Sequence, residues 1–281
     1  MRVVERALVA WLLWGVALFL LQRRMIFPGR SAPPLGEGES LAGAELHRLT
    51  IPGGVVEAWW LPAEPGSARP GPARVFTHGN FEVVDEWVHS FEPLLSAGIG
   101  VLLLEYPGYG RSTGVATQAS VTAGSLAAWD LLASMPEVDR TRIIALGRSV
   151  GGGAAGALSR ERPLAALVFS SAFTSTRAYA RRYLLPGFAV RHPLDNLAAV
   201  RAFAGPVLVQ HGTRDGTVPY WHGERLAQGA ADGELLSYDC GHNDCPWDRM
   251  MGDLVRFRAE RGIVPRTGGS DGNPLPARGV R

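Results

Sequence analysis

The chain of 281 residues has no lysine, only two cysteines and a net charge of only +2. All of its basic residues are therefore arginines. With the abundance of glycine and alanine, this reflects a GC-rich coding sequence and carries no chemical information. So small a net charge gives no electrostatic basis for nucleic-acid binding. Cys240 and Cys245 supply neither a disulfide framework nor the ligand set of a zinc site. They read as small, buried or half-buried side chains, with a mutual disulfide left open for an oxidising compartment. No internal repeat is found. What is plentiful is apolar surface: 46% of residues are hydrophobic against 19% charged. That balance describes a folded chain with a sizeable core, long enough for one large α/β domain or two small ones.

The longest apolar run lies at the N-terminus, unbroken from Ala7 to Leu21 and followed by Gln22-Arg23-Arg24. As a helix it spans about 22 Å, or about 28 Å if counted from Val3, close to the roughly 30 Å of a bilayer core. Glu5 and Arg6 would then snorkel to the interface. A cleaved signal peptide has a similar apolar stretch, but no small-x-small cleavage site follows; the next residues are Arg23-Arg24-Met25-Ile26-Phe27-Pro28. The segment 1–28 is therefore expected to be an uncleaved, single-pass membrane anchor. Two arginines precede the run and three follow it, so the positive-inside bias leaves its orientation open.

Residues 29–43, rich in Gly, Pro and Ser, read as a linker, and 263–281 as a flexible tail. Between them, in 44–262, short apolar runs alternate with helical stretches. An opening strand pair, Ala44–Ile51 and Val55–Leu61, surrounds Pro52-Gly53-Gly54. Further strands are expected at Arg74–Thr77, Val101–Glu105, Ile143–Leu146, Ala165–Phe169, Val207–His211 and Glu234–Asp239. Helices are expected at Val83–Ser96, Thr117–Ser134, Val150–Arg162, Gly223–Ala230 and Pro246–Arg261. This alternation predicts an α/β fold with a mostly parallel central sheet and helices on both faces.

Gly-x-Ser-x-Gly, a turn that exposes a nucleophilic serine between a strand and a helix, occurs twice. In Gly147-Arg148-Ser149-Val150-Gly151 the serine directly follows the apolar Ile143–Leu146 and opens a run of small residues that would pack a helix close to the sheet. In Gly110-Arg111-Ser112-Thr113-Gly114 a Pro107-Gly108-Tyr109 turn intervenes and more loop follows. Ser149 is accordingly the expected nucleophile, with Gly147 and Gly151 as the glycines of its elbow, and Ser112 a turn residue. A serine needs a base to remove its proton, and histidine serves best near neutral pH. The base and the acid that orients it should lie on loops after later strands, in the order serine, acid, histidine. Of seven histidines, His242 follows the last strand, in Asp239-Cys240-Gly241-His242-Asn243-Asp244. Asp215 follows Val207–His211 and is the expected acid; Asp195, Asp232, Asp239 and Asp244 are fallbacks. The oxyanion of an acyl-transfer intermediate needs preorganised N–H donors. Val150, after the nucleophile, supplies one. In His78-Gly79-Asn80-Phe81 the Asn80 amide is preferred over that of Phe81 as the other, with His78 as a structural hydrogen-bonder.

These motifs, with Tyr106-Pro107-Gly108-Tyr109-Gly110-Arg111-Ser112 between them, occur in the same order in α/β-hydrolases. The chain resembles their membrane-anchored branch, the bud-emergence-type hydrolases and the ABHD-type lipid and depalmitoylating enzymes. The resemblance covers about residues 44 to 262. It implies a serine hydrolase of ester or thioester substrates that works through an acyl-enzyme, without metal or cofactor, on a small-molecule or lipid acyl substrate. A serine peptidase of the same fold and a non-catalytic binding protein with a relic triad are the alternatives; an intact Ser, Asp and His in the correct order argues against the second. The segment Ala172–Phe203 is shorter than the cap of some relatives, which favours an open site. Its Tyr179, Tyr183, Leu184, Leu185 and Phe188, interleaved with arginines, read equally as an amphipathic cap lining an acyl pocket or as a helix on the sheet edge.

Overall fold

Strands that are apolar on both faces form where the sequence offers five to seven buried residues between turns. The computed structural model describes residues 2–34, 41 and 43–263. Most of the expected tail and part of the expected linker lie outside them. The chain opens with helix α1 (Arg2–Ile26), whose apolar surface is largely exposed. A hairpin follows, β1 (Glu45–Ile51) and β2 (Gly54–Leu61), and then β3 (Gly71–Thr77). After a short helix α2 (Glu92–Ser96) come β4 (Gly100–Leu104), α3 (Gln118–Ser134) and β5 (Val138–Arg148). The second half runs α4 (Gly151–Glu161), β6 (Ala166–Ser170), α5 (Thr176–Ala180), α6 (Asn196–Ala202), β7 (Pro206–Gly212), α7 (Trp221–Gly229), β8 (Asp232–Tyr238) and α8 (Trp247–Glu260).

The eight strands form one sheet in the order β1-β2-β4-β3-β5-β6-β7-β8. The β1–β2 and β2–β4 pairs are antiparallel and all others parallel. Every residue of β3, β4 and β6 is buried, as expected of strands covered on both faces. One core layer joins Trp59, Phe76 and Ile144 to α2 and α8 through Leu94, Leu254 and Phe257. The opposite layer joins Val75, Leu102 and Phe169 to α3, α4, α6 and α7 through Leu132, Leu158, Val200 and Leu226. Truncating an aromatic as buried as Phe76 to Ala costs about 3–5 kcal/mol in such a setting.

Two elements differ from expectation. The predicted helix Val83–Ser96 is a single 3-10 turn at Val84–Glu86 and then the five-residue α2. Pro93 lies in the first turn of α2, where its missing N–H costs nothing; inside a continuous helix it would remove a hydrogen bond and clash with the preceding turn. Strand β5 begins five residues before Ile143, because Val138 pairs with Gly71 across an irregularity in β3.

Candidate active site

All the expected site residues gather at the C-terminal ends of the parallel strands. Ser149 follows β5 with a backbone φ of 53°, a left-handed conformation that few non-glycine residues adopt. It is held there by its N–H, which donates to the Ser170 carbonyl at 2.8 Å. The flanking glycines are sterically required. A Cβ on Gly147 would come within 2.4 Å of the Gly151 carbonyl oxygen, and one on Gly151 within 2.1 Å of the Thr77 carbonyl oxygen. The turn is therefore pressed between β3 and the start of α4.

The Ser149 hydroxyl lies 3.1 Å from Nε2 of His242, and Nδ1 of the same ring lies 2.7 Å from Oδ2 of Asp215. The other carboxylate oxygen accepts the amides of Thr217 at 2.9 Å and Val218 at 2.7 Å. With three donors on the carboxylate, Nδ1 carries the proton and Nε2 is left as an acceptor for the serine O–H. Burial alone would raise the Asp215 pKa. The hydrogen bond and charge of His242, with the Val218 amide, outweigh it and hold the carboxyl below its usual range. His211 lies behind Asp215, buried, with its Nε2–H donating to the Val218 carbonyl at 2.8 Å. Burial lowers its pKa, so it is a neutral packing group.

Asn80 and Val150 both line the cavity in front of Ser149. Neither amide donates to a protein acceptor among the described residues. The Gly79 amide is unavailable, since it donates to Glu82 at 2.6 Å. The Tyr-Pro-Gly-Tyr-Gly segment after β4 braces this loop. The Tyr106 hydroxyl donates to the His78 carbonyl at 2.7 Å and the Tyr109 hydroxyl to the Asn80 carbonyl at 2.9 Å. His78 is fully buried, 2.7 Å from Glu105 through Nε2 and 2.8 Å from the Gly79 carbonyl through Nδ1, so it supports the loop rather than facing the cavity. Ser112, the serine of the second motif, lies away from the cavity; its hydroxyl accepts the Glu57 amide at 2.9 Å. Of the fallback acids, Asp195 caps α6 by accepting the Ala198 amide, Asp244 accepts the Gly241 amide, and Asp232 and Asp239 pair with Arg261 and Arg214.

Three features were missed or left open in the sequence. The first is Arg148, inside the elbow motif. It pairs with Glu82 and donates to the His242 carbonyl at 3.1 Å and to Asn243 Oδ1 at 2.8 Å. Burial lowers its guanidinium to about 10, against the pull of the Asp215 charge, so it stays protonated at neutral pH. It ties the end of β5 to the loop of His242 and, through Glu82, to the loop of Asn80. The second is a point that the sequence left open: Cys240 and Cys245 form a disulfide, closing the loop that carries His242. The turn that starts with the Gly241 amide on Asp244 brings their Cα atoms to 5.0 Å, within bonding reach.

The third is a cavity of about 480 Å³, partly open to solvent, that adjoins Ser149 and His242. The segment Ala172–Phe203 supplies one wall through Phe173, Tyr179, Leu185 and Val190. An adjoining wall comes from α1, through Leu18, Gln22, Met25 and Ile26. Sequence reading treated α1 as an anchor and residues 29–43 as a linker, and so gave neither a place near the site. Instead Phe27 is buried with Tyr106, Tyr109 and Val150. The Arg30 carbonyl accepts the Gly110 amide at 2.7 Å, and the Gly110 carbonyl accepts the Ala32 amide at 3.2 Å.

A nucleophile elbow after β5, an acid after β7 and a histidine after β8 are the hallmarks of an α/β-hydrolase. The α/β-hydrolase fold family matches residues 73–201. Rv2307c, an uncharacterized protein of Mycobacterium tuberculosis, is 32% identical over 275 residues, covering 92% of this chain and 95% of its own. The protein bem46 of Schizosaccharomyces pombe is 25% identical over 268 residues, 88% of each chain. Among solved structures, Est1E from Butyrivibrio proteoclasticus superposes with a TM-score of 0.64 at 19% identity, covering 77% of this chain and 98% of that one. The chain belongs to the α/β-hydrolase fold family, in its bem46 and ABHD-type branch.

Proposed function

We propose that the protein is a membrane-associated serine hydrolase that cleaves an acyl ester or thioester. The observation that carries this reading is the unbroken chain of hydrogen bonds from Ser149 through His242 to Asp215, at 3.1 and 2.7 Å, opening onto an apolar cavity. In the mechanism it supports, Ser149 attacks the acyl carbonyl while His242 takes the hydroxyl proton. Asp215 fixes the ring tautomer and stabilises the imidazolium that forms. The Asn80 and Val150 amides receive the developing oxyanion, helped by the positive end of α4, which starts at Gly151. His242 then returns its proton to the leaving group. A water, activated by the same ring, hydrolyses the acyl-enzyme and regenerates Ser149. No step calls for a metal or cofactor.

The membrane association rests on α1, 25 residues long, whose most apolar 18-residue stretch has a mean hydropathy of 1.9, enough to cross a bilayer. An apolar cavity beside such a helix favours substrates that partition into lipid, such as lipid esters or acylated proteins. Est1E, whose fold superposes here, has also been solved with ferulic acid bound; the likeness is one of fold and leaves the acyl group to this chain's own cavity.

The test is active-site labelling of purified full-length protein with a fluorophosphonate probe. Wild type and Ser112→Ala are expected to label and Ser149→Ala is not. Failure of folded wild type to label would overturn the reading in favour of a binding protein with an inert triad.

A further inference from the structure

Helix α1 does more than its composition requires of an anchor. From its middle onward it is fastened to the 172–203 segment by polar groups that a free membrane helix has no use for. The Trp11 indole N–H donates to the Leu184 carbonyl at 3.1 Å, and the Trp14 indole to the Tyr183 carbonyl at 2.8 Å. Gln22 uses both ends of its amide. Its Nε2 donates to the Ala189 carbonyl at 3.1 Å and its Oε1 accepts the Arg191 amide at 2.7 Å. Gln22 and Leu18 are the two buried residues of a helix that is otherwise mostly exposed. Leu18 is packed in a cluster with Leu185 and Val190. Phe27, one residue beyond the helix, is buried beside Val150 and so fixes the helix end next to the nucleophile.

The same residues face the cavity. Leu18, Gln22, Met25 and Ile26 lie on one helical face, spaced by three or four, and all line the space in front of Ser149. The cavity's volume of about 480 Å³ falls in the range of small-molecule pockets, about 300–1,000 Å³. The strand ends and the loops after them contribute Ser149, His242, Arg148 and Asn243 to its lining; α1 and the 172–203 segment contribute mainly apolar side chains, together with Gln22, Thr176, Tyr179 and Tyr183.

We propose that α1 is a wall of the acyl pocket, with Leu18 and Met25 setting the length of acyl chain accepted and Gln22 latching the wall to the cap. This rests on the hydrolase reading above, and it assigns to the N-terminal helix a role in substrate selection. One consequence is positional. Because Trp11, Trp14 and Gln22 are bonded to residues 183–191, the cap lies alongside the second half of the apolar helix instead of standing off from it on a tether. A lipid-borne acyl chain therefore meets the pocket at the depth of the helix itself.

The experiment uses full-length protein in detergent micelles and a series of p-nitrophenyl esters from acetate to laurate. In Leu18→Trp the added indole fills the wall, and the ratio of kcat/KM for laurate to that for acetate is expected to fall about tenfold or more. Gln22→Ala should shift the same ratio in the same direction by a smaller factor. Leu20→Trp, on the exposed side of the helix, should leave the profile as in wild type. An unchanged laurate-to-acetate ratio in Leu18→Trp would overturn the proposal.

A second readout does not depend on turnover. Cysteines at Leu18 and Val190, which share one buried cluster, should form a disulfide on mild oxidation, detectable as a linked tryptic pair; cysteines at Leu20 and Val190 should not. Absence of the first link would equally overturn the wall. If wild type neither turns over any ester nor labels with a fluorophosphonate, the hydrolase reading fails, and the docking of α1 is decided by the cross-link alone.

Discussion

The two sides of the cavity are built in different ways. On the chemical side, each polar group is fixed by a neighbouring strand or by a buried partner. Ser149 is tied to β6 through the Ser170 carbonyl, Asp215 has three donors, and Arg148 joins the end of β5 to two loops. The acyl side has the five-residue α5, two 3-10 turns at Arg181–Tyr183 and Gly187–Ala189, and a helix from the far end of the chain. Its apolar contacts are non-directional, and its polar fastenings are few. Chemistry needs atoms held within fractions of an ångström, whereas accepting an acyl chain needs only a surface of the right size and polarity. One side accordingly lies at the ends of the sheet strands and the other in irregular chain.

Substitutions on the chemical side should reduce turnover of all esters alike. Asp215→Asn, which leaves His242 without a carboxylate to set its tautomer, is expected to lower kcat about 10⁴-fold without changing the ratio of long to short esters. Steady-state kinetics across the ester series measures both. A chain-length-dependent loss would break the division. Arg148→Met should cost about 10- to 100-fold, mainly in kcat, because it loosens the His242 loop without removing a reacting group. The observation that would contradict this is an unchanged kcat with a raised KM.

The junction between the two sides gives a pH-dependent prediction. His222 on α7 is fully buried, and its Nδ1 accepts the Thr174 amide at 3.1 Å at the start of the cap segment. Burial, then the neighbouring His211 ring and the charges of Arg182 and Arg225, lowers its pKa from 6.5 to about 4. Between those values the unfolded chain binds a proton that the folded chain does not, so folded stability rises with pH across that window. The contribution is complete above about 6.5 and is lost as pH falls to about 4, amounting to about 3 kcal/mol. Thermal unfolding followed across this range should steepen its decline below pH 6.5 in wild type and flatten in His222→Gln.

What the sequence made legible depended on range. The sheet, the elbow at Ser149 and the positions of Asp215 and His242 could be read because a short apolar run followed by a special residue is a local pattern. The discrimination of Ser149 from Ser112 also needed only the neighbouring residues. Arg148 was hidden because arginine within an elbow has no local signature; its meaning comes from Glu82 and Asn243, far away in the chain. The disulfide was hidden because spacing alone does not say how tightly the Cys240–Cys245 loop turns. The role of α1 was hidden most deeply. Its composition satisfies the demands of a bilayer by itself, and only Gln22, a lone uncharged amide at the end of the apolar run, hinted at a specific partner.

The fastenings of α1 to the cap join residues 167 to 173 positions apart in the sequence. Contacts of such separation carry a large loop-closure cost and form late, after the local pairings of the sheet. During synthesis the helix emerges well before its partners at 183–191, which follow more than 150 residues later. The pocket is therefore completed after the catalytic scaffold has begun to assemble. A helix committed to the membrane from the outset would keep that final step beside the bilayer, so that biogenesis and substrate supply share one location.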